Sequence, residues 1–146
     1  MSSQNNINNG SSLSPSDYNI PFNFVVSEGQ LIDSKGNKIV APLIFDPAAE
    51  NNFIHGTLVS ELGWDLIPGE FSIIRMNEIE NSWNSTNFHM LMVPIFDIIH
   101  NTWDTFKFNC SFYVSNTIPK CVILGITSIS QFGITFKYNE NHILVI

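Results

Sequence analysis

The stretch LIFDPAAENNFIHGTLVSELG, residues 43–63, decides how the chain is read. Three apolar residues run up to Asp46. Pro47, Ala48 and Ala49 follow, then polar residues, then Phe53-Ile54 and a short amphipathic segment. In HGTLVSEL (55–62), Leu58, Val59 and Leu62 share one helical face, and Gly63 suits the left-handed position just past a helix end. An acid that ends an apolar strand needs either hydrogen-bond partners or a task. Pro47, directly after it, brings neither a hydroxyl nor a backbone N–H.

Outward from this stretch the chain reads as short strands. KIVAPLIF (38–45) leads into Asp46, and Asp33-Ser34-Lys35-Gly36-Asn37 ahead of it carries turn chemistry. FNFVV (22–26) and GQLID (29–33) are two extended pieces that complete a hairpin with it. FSIIRM (71–76) and FHMLMVPIF (88–96) are strands separated by the polar NEIENSWNSTN. TFKFNCSFYV (105–114) alternates: Phe106, Phe108, Cys110 and Phe112 face one way, Lys107, Asn109 and Ser111 the other. That is the pattern of a half-buried strand. KCVILG (120–125) is a short buried strand and ITSISQFG (126–133) a short helix. ITFKY and HILVI form a last hairpin across Asn139–Asn141. Strands at this spacing, with one or two short helices, predict an all-β fold, a small barrel or sandwich.

Composition narrows the function. Residues 1–17, rich in Ser and Asn, hold too little apolar surface to offset ordering and are expected to be a disordered tail, leaving 18–146 as one domain. The net charge of −7 argues against nucleic acid, whose phosphates call for a basic surplus. No apolar run approaches the roughly 18 residues of a membrane helix, and no signal peptide is visible. Two cysteines, Cys110 and Cys121, read as reduced core thiols of a cytoplasmic protein. His55, His89, His100 and His142 are scattered, with no metal-ligand spacing, so no metal and no cofactor are expected.

Three features then stand in a meaningful order: LIFDPAAENNFIHGTLVSELG, a long β-hairpin, and CVILGITSISQFGITFKYNENHILVI (121–146). This order resembles the retroviral-type aspartic protease (retropepsin) domain of gypsy-type LTR retrotransposons, in which the first element reads Leu-Ile-Asp-Ser/Thr-Gly-Ala and the last Ile-Leu-Gly. The resemblance covers roughly residues 22–146. It implies a small closed acid-protease-like barrel with Asp46 as the catalytic acid, and Pro47, Ala48 and Ala49 as its loop. It also implies Ile123, Leu124 and Gly125 as the second loop strand, and a flap holding Ile79 and Trp83. Each chain of such an enzyme supplies one carboxylate, so a homodimer is implied. Two carboxylates near contact share a proton and activate a water against a peptide bond of a peptide or polyprotein. The shared proton of aspartic proteases is a known example of coupled titration.

Pro47 and Ala48 stand where the family has Ser/Thr and Gly. Pro47 deletes a hydroxyl that ties the two loops across the dimer axis, and Ala48 is strained if its position demands a glycine conformation. Two readings therefore follow. Either the domain hydrolyses peptides through Asp46, or the fold persists without catalysis as a dimerisation or peptide-binding module, with Asp46 a structural acid. Trp83 either covers a substrate or anchors its hairpin. The apolar HILVI either joins an interface between chains or closes the chain's own barrel. Asp33, the other acid in an Asp-Ser setting, is expected to sit in an exposed turn.

Overall fold

The computed structural model describes residues 25–69, 73–75, 78–80, 83–97, 99–136 and 143–145. The expected tail, 1–17, lies outside them.

Strand β1 (Val25–Ile32) pairs antiparallel with β2 (Lys38–Phe45) along its whole length, from Val25↔Phe45 to Ile32↔Lys38. The two extended pieces expected before the turn are one strand from Val25 onward. Gly29 lies buried within it, where a Cβ would lie 2.8 Å from Leu91 Cδ1. The turn is the one the residues specify. Asp33 Oδ1 accepts from the amides of Lys35 (2.9 Å) and Asn37 (2.7 Å), and Gly36 takes φ 86°. Desolvation pushes the Asp33 carboxyl upward, but those amide donors outweigh it and hold the group below its ordinary range.

At the C-terminal end of β2 both faces are covered: Leu43 and Phe45 pack into the main core and Ile44 into a second cluster, so three consecutive residues are buried. After Asp46 come β3 (Phe53–His55) and helix α1 (Gly56–Leu62). The α1 N-cap is His55, whose Nδ1 accepts from the Thr57 amide at 3.1 Å. The helix stops at Gly63 with φ 68°, and buries Leu58, Val59 and Leu62 as its spacing predicts. β4 (Ile67–Gly69) pairs with β7 (Trp83–Ser85), and between them β5 (Ile73–Arg75) pairs with β6 (Glu78–Glu80).

β8 (His89–Asp97) and β9 (Thr102–Cys110) form an unbroken hairpin, His89↔Cys110 to Asp97↔Thr102. Phe108, Cys110 and Phe112 are buried while Lys107 and Asn109 are exposed, as the alternation requires. The strand does not run on to residue 114. It breaks after Cys110 and resumes as β10 (Tyr113–Ser115), which leaves β8 to pair parallel with β3. Thr86 covers the break: its amide donates to Phe112 O (2.9 Å) and its Oγ1 accepts from Phe112 N (3.1 Å).

β11 (Val122–Leu124) inserts between β2, parallel, and β3, antiparallel, and helix α2 (Ile126–Phe132) follows at once. β12 (Ile134–Phe136) pairs with β13 (Ile143–Val145); the turn expected at 139–141 lies outside the described residues. β13 also meets β8 in parallel at Leu144↔Phe96. The final apolar strand therefore lies in the chain's own sheet with a neighbour on each side. The sheet path runs β12-β13-β8-β1-β2-β11-β3-β10-β7-β4, with β9 on β8, and curls into the all-β acid-protease-like form expected, here a half-barrel. Leu31, Leu43, Phe45, Ile54, Leu91 and Leu124 lie at the centre of its main core, and Ile44, Phe53, Ile118 and Cys121 form a second cluster.

Candidate active-site loop

β2 ends at Phe45, and the next residue, Asp46, emerges half-buried at the strand end. A tight turn begins there. The Ala49 amide donates to Asp46 O (3.0 Å), and the Ala48 amide donates to Asp46 Oδ1 (3.0 Å). Pro47 occupies the second position of this turn, where a fixed φ near −65° is favourable. Its missing N–H leaves no gap, since Ala48 and Ala49 supply both donors. Pro47 and Ala48 are exposed. The strain anticipated for Ala48 is absent: among the described residues the positive-φ position outside glycine is Asn101. Asp46 is thus held by its own turn, with carboxylate surface left open.

The second loop lies directly against the first. Asp46 N donates to Leu124 O (2.9 Å), and Ile126 N donates to Ala49 O (2.7 Å). Gly125 has an ordinary φ of −87°, so its glycine serves space rather than conformation. A Cβ there would lie 2.4 Å from Asn51 O and 2.7 Å from Ala49 O, both backbone atoms that cannot swing aside. Thr127 Oγ1 adds a bond to Glu50 O at 3.0 Å. Of the residues singled out from the sequence, the fold therefore brings together Asp46, Ala48, Ala49, Leu124 and Gly125. Pro47 points the turn into solvent. Ile123 packs one residue back, on the second core cluster.

The two residues expected in a flap lie in different ladders. Ile79 pairs with Ile74 in the β5–β6 ladder, whereas Trp83 pairs with Gly69 in β7, a strand that also joins the main sheet through Ser85↔Tyr113. A hairpin is present, but its second arm is β6 and β7, drawn from the polar stretch expected to separate two strands, while β8 pairs with β1 and β9. The hairpin's two ladders differ in register by one residue. Residues 76 and 77, at its turn, lie outside the described residues.

Sequence reasoning missed Asn52. Its side chain donates to Ser111 O (3.2 Å) and Ser128 Oγ (2.8 Å) and accepts from Gly125 N (2.9 Å). Nothing in the sequence marks it apart from Asn51 beside it. A cavity of about 380 Å³ takes in Glu50, Asn51 and Asn52 together with Ser111, Phe112 and Gln131, but not Asp46. It is not the place where the acid faces outward.

Other chemistries find less support. Burial pushes both thiols, Cys110 and Cys121, up to about 12, so neither is a nucleophile near neutrality. Among the described residues no group of three or more His, Cys, Asp or Glu side chains is placed to hold a metal ion. No helix among them is long and apolar enough to cross a membrane.

No family model matches the sequence, and no curated protein sequence matches it. Solved structures do match the fold. The retroviral protease-like domain of Ddi1 from Leishmania major is 9% identical over 84% of this chain and 87% of that one, with a TM-score of 0.50. A retropepsin-like aspartic protease from Rickettsia conorii is 15% identical over 82% of this chain and 90% of that one, with a TM-score of 0.47. The first likeness is one of fold, and in that respect the chain is retropepsin-like.

Proposed function

We propose that this chain is a retroelement-derived aspartic-protease-like domain, of the gypsy type its sequence resembles, in which Asp46 is one half of a dyad completed by a second copy. The observation that carries the reading is the joint between the loops: Asp46 N on Leu124 O, with Gly125 packed against the carbonyls of Ala49 and Asn51. That joint holds a half-open carboxylate at a strand end, where a twin could face it. With a second carboxylate within hydrogen-bonding reach, the pair would hold one proton between them. One member would take a proton from a bound water while the other donated to the scissile carbonyl oxygen. An extended peptide lying between flap and floor is the substrate this geometry suits.

A second reading draws on Pro47 and the turn it makes. An Asp whose Oδ1 accepts from the amide two residues on is a complete structural unit by itself, and Pro47 offers no hydroxyl for a bond across an axis. On that reading the fold is retained as a dimerisation or peptide-binding module.

Cleavage of apolar peptides between acidic and neutral pH separates the two. The catalytic reading expects turnover that is lost in Asp46→Ala and blocked by a transition-state mimic with a tetrahedral hydroxyl. It also expects dimers in sedimentation at tens of micromolar. Absence of any cleavage by folded, dimeric protein leaves the binding-module reading. Gain of activity in the double variant Pro47→Ser/Ala48→Gly would then locate the lost function in this turn.

A further inference from the structure

We propose that Asn52 is the positioning residue of the Asp46 loop, acting through the single peptide group between Leu124 and Gly125. The proposal rests on the dyad reading of Asp46 for its catalytic consequence, but the clamp itself is geometric. The carbonyl of that peptide group accepts from Asp46 N at 2.9 Å, and its N–H donates to Asn52 Oδ1 at 2.9 Å. A peptide group is a rigid plate, so what fixes one end fixes the other. Donation at the N–H end also polarises the carbonyl end, strengthening its hold on the Asp46 amide.

Asn52 is itself immobilised. Its amide nitrogen spends one hydrogen on Ser111 O and the other on Ser128 Oγ, and Ser128 is 7% exposed. Its own carbonyl accepts from Tyr113 N at 2.9 Å. One side chain thus ties helix α2 and the β9–β10 link to the plate that seats the acid. No other side chain of this size supplies two donors and an acceptor in this fork. Aspartate keeps the shape and the acceptor but turns a charge toward Ser111 O. Leucine keeps the volume and loses all three bonds.

The test uses Asn52→Asp and Asn52→Leu in the full chain, with Ser128→Ala as a milder variant that removes one anchor. Amide hydrogen exchange is followed at Asp46 and Gly125, with the core amides of Leu43 and Leu91 as controls. The expected result is exchange at Asp46 and Gly125 accelerated about tenfold or more over any change at Leu43 and Leu91, in Ser128→Ala by less. In a cleaving wild type, kcat is expected to fall about ten- to a hundredfold while KM stays within about twofold, as misplacement of a reacting group requires. Uniform acceleration at all four amides, with kcat tracking only the folded fraction, would overturn the proposal. If the Asn52 variants do not fold, Ser128→Ala decides by the same criterion. Selective exchange at Asp46 without cleavage in the wild type would sink the dyad reading and leave the clamp standing.

Discussion

The His89 imidazole lies flat on the Trp64 indole, ring centroids 3.8 Å apart and planes 3° from parallel. The indole is held in turn by its Nε1 donating to Ile32 O at 3.0 Å, with Trp64 7% exposed. Burial lowers the His89 pKa, while the charge of Asp65 works in the opposite direction. A histidine whose folded value is depressed favours the native state when neutral. Its contribution is therefore full above the unfolded value near 6.5 and is lost as pH falls through the folded value. Denaturation midpoints measured from pH 8 down to pH 5 should show a His89-dependent loss only below about pH 6.5, seen as a smaller decline there in His89→Phe than in wild type. Asp65→Asn should lower the His89 titration further, read by NMR of the ring protons.

The tip of the β8–β9 hairpin carries the opposite case. Asp97 Oδ2 lies 2.6 Å from His100 Nδ1, while its Oδ1 accepts from the amides of Ile99 and His100. The side-chain bond raises His100 and lowers Asp97. The histidine's share of stability is present below its unfolded value and fades as pH rises through the folded one. The aspartate's share is present above its unfolded value and fades as pH falls through the folded one. Both are in force only between the two unfolded values. Asp97→Asn should bring the His100 titration down toward that of a free imidazole, and an unmoved His100 would show that the pair does not form in solution.

Gly125→Ala should destabilise the fold by about 1–3 kcal/mol, the range for forcing extra atoms into a packed site. The carbonyls of Asn51 and Ala49 at 2.4 and 2.7 Å belong to backbone that is itself bonded to α2, so relief requires the two loops to part. Urea unfolding of the variant measures the cost. A stability equal to wild type would mean that the loops separate freely.

Leu124→Ala removes a fully buried side chain from the core one residue before that glycine. A loss of about 2–5 kcal/mol is expected. Unlike Gly125→Ala, it should leave the Asp46–Leu124 backbone bond in place, since that bond uses no side-chain atom.

Much of this fold can be read from local chemistry. The Asp33–Asn37 turn, the strand of residues 38–45, both short helices and their terminal glycines all follow from residues near one another in sequence, and the structure has them. The break after Cys110 is not local. It exists because Tyr113 exchanges β8 for β3, some 60 residues earlier in the chain, and because Thr86 caps Phe112. No alternation of apolar residues within 105–114 records that exchange. The site shows the same division. The order of elements points to Asp46 and Gly125 as candidates, and the structure brings their loops together. The reason for Pro47 lies in turn geometry, whereas Asn52 is defined by partners at Ser111, Gly125 and Ser128 that only the folded chain brings near.

The placement of β13 has a consequence for assembly. A strand flanked by β12 on one side and β8 on the other has no free edge of its own to lend to a neighbouring molecule. A second copy meeting this one at Asp46, as proposed, would have to be held by surfaces other than the edges of β13.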